Sequence, residues 1–128
     1  MRAYLAISQT DLVAFVASKS FDAKQLYAPT QQFVSENSDC DEEELEYLLS
    51  LAAGEEALDL RVTESAPGIV LAIEVDQSQV GESYDNSITV TSVVMWNQVQ
   101  CALLAYHGED ELVWFATQEI EIHCGEWA

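Results

Sequence analysis

Apolar positions recur along this chain with two periods, and the places where one gives way to the other mark its elements. Arg2 to Ile7 is β-prone and predicts an N-terminal strand. Ser8 and Thr10 then offer caps for a helix over about Asp11 to Ser18. Its stripe is Leu12, Phe15, Val16 and Lys19, and Asp11 sits in the first turn, where the helix dipole favours an anion. Gln25 to Ala28 reads as a short extended piece that Pro29 ends, and Thr30 caps a brief helix through Phe33 and Val34. Asp39 or Asp41 caps a longer helix in which Leu45, Leu48, Leu49 and Ala52 keep helical spacing, weakened at Gly54 and running to about Leu60.

After Pro67 and Gly68 the period changes to that of a strand. Ile69, Leu71, Ile73 and Val75 share one face, while Val70 and Ala72 make the other apolar too, which predicts a central strand buried on both sides. Gln77 to Asn86 is polar, contains Gly81 and reads as a loop, and Ile88 to Val94 is β-branched and alternating. Met95 to Tyr106 fits a helical stripe or a strand face. The turn His107 to Asp110 decides for a short helical turn at Trp96 to Val99 and a strand from about Gln100 to Tyr106, joined as a hairpin to the β-prone Glu111 to Ala116. These elements predict an α+β domain, a largely antiparallel sheet of about five or six strands with two main helices packed on one face. Residues 1–128 form one compact domain in this reading, with 120–128 as a loose C-terminal tail.

Composition changes this picture mainly through charge. There are 23 Asp and Glu against four Lys and Arg, a formal net of −19 in 128 residues. The basic residues Arg2, Lys19, Lys24 and Arg61 all precede position 62, so the rest of the chain has no fixed positive charge. Such a surface repels a nucleic-acid backbone, which excludes direct nucleic-acid binding. Hydrophobic residues make up 49% of the chain, too many for a disordered acidic tail. The first apolar stretch, Tyr4 to Ile7, is interrupted by Asp11 before any signal-peptide core forms, and no run has the length of a membrane span, so a cytoplasmic protein is expected. Cys40, Cys101 and Cys124 are odd in number and form no CxxC pair, which predicts free thiols.

Three segments resemble a family of small acidic actinobacterial proteins known only as a domain of unknown function. They are Met1 to Leu5, the acidic helix start Asp41 to Tyr47, and above all Glu111 to Ile120. The likeness covers both ends and the central helix and implies a bacterial cytosolic protein. It carries no activity, cofactor or catalytic residue.

The candidate chemistry is sparse. Six acids between Asp39 and Glu46, Glu42 and Glu43 among them, suggest a cation site or a phosphate-mimicking surface, but caps and dipole favour acids at a helix N-terminus in any case. EF-hand spacing is missing. Glu119, Glu121, His123 and Cys124 are possible metal ligands, with His107 on the neighbouring strand, yet adjacent His123 and Cys124 point opposite ways in an extended chain, so no metal or other cofactor is expected. Cys101 and His107, about 20 Å apart along one strand, do not make a nucleophile and base. Trp114 and Phe115 face opposite sides of the sheet. One fills the core; the other lies under a helix, the commoner state, or is exposed beside Gln118 and Glu119 as an interface hot spot.

Three functions remain open. The first is a non-enzymatic binding or adaptor protein whose acidic surface engages a basic protein partner. The second is its special form, a nucleic-acid mimic. The third is a small enzyme using a carboxylate pair drawn from Glu74, Asp76, Glu119 and Glu121. A pocket of converging polar groups marks the enzyme, and an exposed apolar patch ringed by acids marks the adaptor. The adaptor is the reading adopted.

Overall fold

The computed structural model describes residues 1–128. In chain order the elements are β1 (Arg2–Ile7), α1 (Gln9–Ser18), β2 (Ser20–Phe21), β3 (Gln25–Tyr27), α2 (Gln31–Glu36), α3 (Glu42–Asp59), β4 (Gly68–Glu74), β5 (Val80–Ser83), β6 (Ser87–Val90), β7 (Val94–Met95), β8 (Val99–Ala105), β9 (Val113–Ala116) and α4 (Thr117–His123). A seven-stranded sheet has the order β5-β6-β3-β1-β4-β8-β9, and β2 and β7 form a separate pair. Every pairing is antiparallel. The fold is therefore α+β with a largely antiparallel sheet, with more strands than the sequence predicted and a third helix of seven residues, α4.

The helices lie on both faces of the sheet, which corrects the expectation that they share one. Ala3, Leu5 and Ile7 of β1 and Ile69, Leu71 and Ile73 of β4 pack with Leu12 and Phe15 of α1. Tyr4, Ala6, Val70 and Ala72 point the other way and pack under Leu49, Ala53 and Ala57 of α3. A strand that is apolar on both faces needs a layer on each, and β4 is buried from Gly68 through Ile73. At Gly68 the approach of α3 leaves room only for hydrogen, since a Cβ there would lie 2.8 Å from the backbone of Ala57 and Leu58.

Local signals explain most boundaries. Ser8 and Thr30 accept from the backbone N–H groups of Asp11 and Phe33, and Asp41 and Glu44 cap α3 reciprocally. On α3 the buried stripe is Leu45, Leu49, Ser50, Ala53, Gly54 and Ala57, so Leu48 is exposed and Ala52 half-buried rather than core-facing. The stretch expected as one loop, Gln77 to Asn86, contains a 3-10 turn and β5. The strand expected over Ile88 to Val94 breaks into β6 and β7, the latter turning to pair with β2. The β8–β9 hairpin forms with a longer loop, in which Gly108 takes φ 85°.

The C-terminal segment also departs from expectation. Residues 120–128 are not a loose tail: Ile120, Cys124 and Trp127 are buried in the same cluster as Phe15, and Gln9 Nε2 donates to Cys124 O at 3.1 Å.

Beside β3, the Tyr27 hydroxyl donates to Glu56 Oε1 on α3 at 2.9 Å. Burial first, then that bond and the charges of Glu56 and Glu55, push the phenol from 10.0 to about 12. Above pH 10.0 the unfolded chain loses this proton while the folded chain keeps it, so the unfolded state binds fewer protons and stability falls as pH rises toward about 12. In Tyr27→Phe that part of the alkaline loss is expected to vanish. Denaturation midpoints across the same window test it, and equal pH slopes for the two proteins would sink the assignment.

Candidate functional site

The most exposed aromatic residue of the chain is Trp114, at 60%. It stands opposite Leu103 of β8, so both face the α3 side of the sheet. The helix packs over β1, β4, β8 and β3 and makes no comparable contact with β9, which leaves the outer strand uncovered. Phe115, next along the strand, turns to the other face and meets Trp127 edge-on at 5.1 Å and His123 at 5.8 Å. Phe115 is thus the aromatic that packs on the core, and Trp114, the other, is exposed rather than covered by a helix, the less common of the two expected states.

Between α3 and the β8–β9 hairpin runs a shallow groove. One hollow of about 310 Å³ is lined by Tyr47, Ser50, Leu103, Glu111 and Leu112. It shares Tyr47 and Leu112 with a second, of about 390 Å³, that extends along Leu51 and Leu58 to Tyr106. Glu55, Glu109 and Asp110 line this second hollow, so the apolar floor has an acidic rim. Tyr47, Tyr106 and Val113 are exposed as well, Val113 on the opposite face of β9 from Trp114. A larger open cleft, about 700 Å³, lies next to it and is lined by Glu64, Tyr106, His107, Glu109, Glu111 and Val113 among others.

Towards the start of β1, the same face carries a small polar cluster. Arg2 Nη2 donates to Cys101 Sγ at 3.5 Å, and Arg2 Nε is buried without a partner. Burial raises the Cys101 thiol above its ordinary value, and the guanidinium of Arg2 and the Trp114 indole oppose that rise only in part. Burial likewise raises Tyr4; Arg2 pulls it down and Glu46 pushes it up. Arg2 is raised above its ordinary value: burial acts downward, and Tyr4 and Cys101, ionised only in the alkaline range where the guanidinium titrates, together with Glu46 outweigh it. Cys101 is thus a protonated, buried thiol in the sheet rather than a nucleophile.

The candidate residues separate into two groups. Trp114 lies beside the groove, and Glu43 sits one helical turn before Tyr47 on α3. Glu42 and Glu43 are exposed in the first turn of α3. Gln118 and Glu119 do not frame Trp114 on the strand: they begin α4, and Glu119 Oε1 accepts from Ala116 N–H at 2.9 Å. Tyr47, Leu103 and Leu112 were missed as groove residues. For Tyr47 the signal is a second helical stripe, Tyr47, Leu51 and Leu58, beside the core stripe of α3; Leu103 and Leu112 have none of this kind.

The carboxylates considered for catalysis are dispersed. Glu74 Oε1 accepts from the Met1 ammonium at 2.9 Å, Glu121 pairs with Lys19 at 3.0 Å, Glu119 caps α4, and Asp76 is exposed before the Gln77–Gln79 turn. Cys124 is buried while His123 turns to Glu126 at 3.1 Å, and no group of three or more His, Cys, Asp or Glu is arranged to hold a metal ion. All three cysteines are free thiols.

Fold and surface together define an α+β protein whose antiparallel sheet lies between helices and whose outer strand presents an apolar face with acids around it. The chain belongs to DUF6912, a family of unknown function whose family model matches residues 1–107. That match includes Met1 to Leu5 and Asp41 to Tyr47 and ends before Glu111 to Ile120, so Trp114 lies in the part of the chain outside it. No curated protein and no solved structure matches. No helix is long and apolar enough to cross a membrane.

Proposed function

We propose that this protein is a non-enzymatic binding protein that engages a basic protein partner through the face formed by β9 and the flank of α3. The observation that carries the reading is Trp114, 60% exposed and paired with Leu103, which lines an apolar groove with Glu55, Glu109, Asp110 and Glu111 on its rim. A large aromatic held on a rigid strand supplies contact area with little entropy to lose, which is the chemistry of an interface anchor. The net charge of −19 steers a basic partner to the surface and makes the encounter sensitive to salt. Three free thiols suit a reducing compartment, and the proposal locates the protein in the cytoplasm.

The reading is tested by affinity capture from lysate of the cells the protein comes from, at low and at raised salt, with bound proteins identified by mass spectrometry. A basic protein recovered in stoichiometric amount at low salt and lost at raised salt is the expected result. Nothing captured at either salt would overturn the proposal.

A further inference from the structure

The two edges of the seven-stranded sheet are built differently. On the β5 edge the register against β6 shifts between Val80 and Ser83, Gly81 stands within the strand beside the charged Glu82, and the N–H of Glu82 is taken up by Thr89 Oγ1 at 2.8 Å. Bulge, glycine and charge are the usual devices that stop a sheet from growing. The β9 edge has none of them. Val113 to Ala116 pair with β8 residue for residue, without a bulge, charge or proline, and Val113 and Trp114 are both exposed.

The backbone parity of β9 follows from bonds further in. Val75 N–H donates to Met1 O at 2.8 Å, so Val75 and its alternate residues bond to β1, and Ala72 and Val70 bond to β8. Their partners Cys101 and Leu103 therefore turn their backbone groups toward β4, and Ala102 and Leu104 turn theirs to Phe115 and Val113. Trp114 and Ala116 are left with N–H and C=O directed out of the sheet. The N–H of Ala116 is used by Glu119 Oε1 at 2.9 Å, as this parity requires. The outward groups of Trp114 remain as a pairing site in the middle of the strand, under its exposed indole.

Resting on the reading of this face as a binding surface, we infer that the partner contributes an extended basic segment that pairs with the outer edge of β9 as an additional strand. Charge selects the occupant. Glu109, Asp110 and Glu111 lead into β9 without a basic partner, and although Lys19 offsets Glu121 and Arg2 reaches Cys101 on the Trp114 face, these three unpaired acids leave the approach to the edge negative. A second copy of this chain would bring −19 against −19. A strand with Lys or Arg at every second position would lay those side chains across the face of Trp114 while its backbone met the outward groups, the two sources of affinity in strand addition.

The experiment uses the full chain and two synthetic peptides: one alternating lysine and valine, and the same peptide with alternate backbone amides N-methylated, which keeps charge and side chains but removes the strand donors. Binding is followed by calorimetry and by hydrogen exchange at the Trp114 amide. The expected result is protection of that amide by the first peptide and at least about tenfold weaker binding of the second. Equal binding of both, without protection, would reduce the site to charge and side-chain capture. It would overturn the strand inference while leaving the binding face intact. Binding of neither peptide to a protein that still captures its natural partner would overturn it too. A concentration-dependent dimer that protects Trp114 in the absence of peptide would assign the edge to a second copy and also overturn it. A blank capture from lysate, by contrast, removes the binding reading itself.

Discussion

Replacing Trp127 by alanine is expected to lower the unfolding free energy by about 3–5 kcal/mol, the range for removing a buried large aromatic from a core. Its ring is buried at 5% exposure, meets Phe115 edge-on at 5.1 Å, and belongs to the cluster that includes Leu12, Phe15 and Ile120. The loss is a large fraction of the ~5–15 kcal/mol by which a domain of this kind is stable. A residue in a loose tail, in contrast, changes stability by no more than about 0.5 kcal/mol. Gln9→Ala provides a smaller companion effect, about 0.5–1.5 kcal/mol, because it removes only the bond to Cys124 O. Urea denaturation of the two variants beside the wild type measures both. An unchanged midpoint for Trp127→Ala would return residues 120–128 to the status of a tail.

That segment shows why the sequence was legible in some places and not in others. Ser8, Thr30 and Asp41 announced their helices because capping is a local bond whose partners are two or three residues away. The β4 strand announced itself through an apolar run that only a two-sided core explains. The burial of Trp127 depends instead on α1, more than a hundred residues earlier, and nothing within Glu119 to Ala128 carries that information. The position of α3 is a middle case. Val70 and Ala72 required a layer on the second face, but the choice of α3 to supply it rests on Leu49, Ala53 and Ala57 meeting small residues across the sheet. At the candidate site, alternation placed Trp114 and Phe115 on opposite faces from sequence alone. Which of the two was covered depended on how far α3 reaches across the sheet, a tertiary fact with no local signature.

The same pair of residues supports the sharpest test of function. Trp114→Ala removes a side chain that is more than half exposed but whose indole reaches the buried Cys101 thiol, so stability is expected to fall by only about 1 kcal/mol. If Trp114 anchors the partner, the variant loses about 2–4 kcal/mol of binding, an affinity at least about 30-fold weaker. Phe115→Ala is expected to show the reverse, because Phe115 packs against Trp127 and His123 on the covered face and presents nothing to a partner. Its cost is about 2 kcal/mol or more of stability, with affinity unchanged at temperatures where it is folded. Salt separates the two contributions to binding. Raised ionic strength shortens the Debye length from about 10 Å at 0.1 M and slows association through the acidic rim, while the contact made by the indole is apolar and persists in the dissociation rate. Binding kinetics of the captured partner, measured for the wild type and both variants at two salt concentrations, therefore assign charge to the on-rate and Trp114 to the off-rate. Identical off-rates for wild type and Trp114→Ala would move the interface away from β9, however basic the partner proved to be.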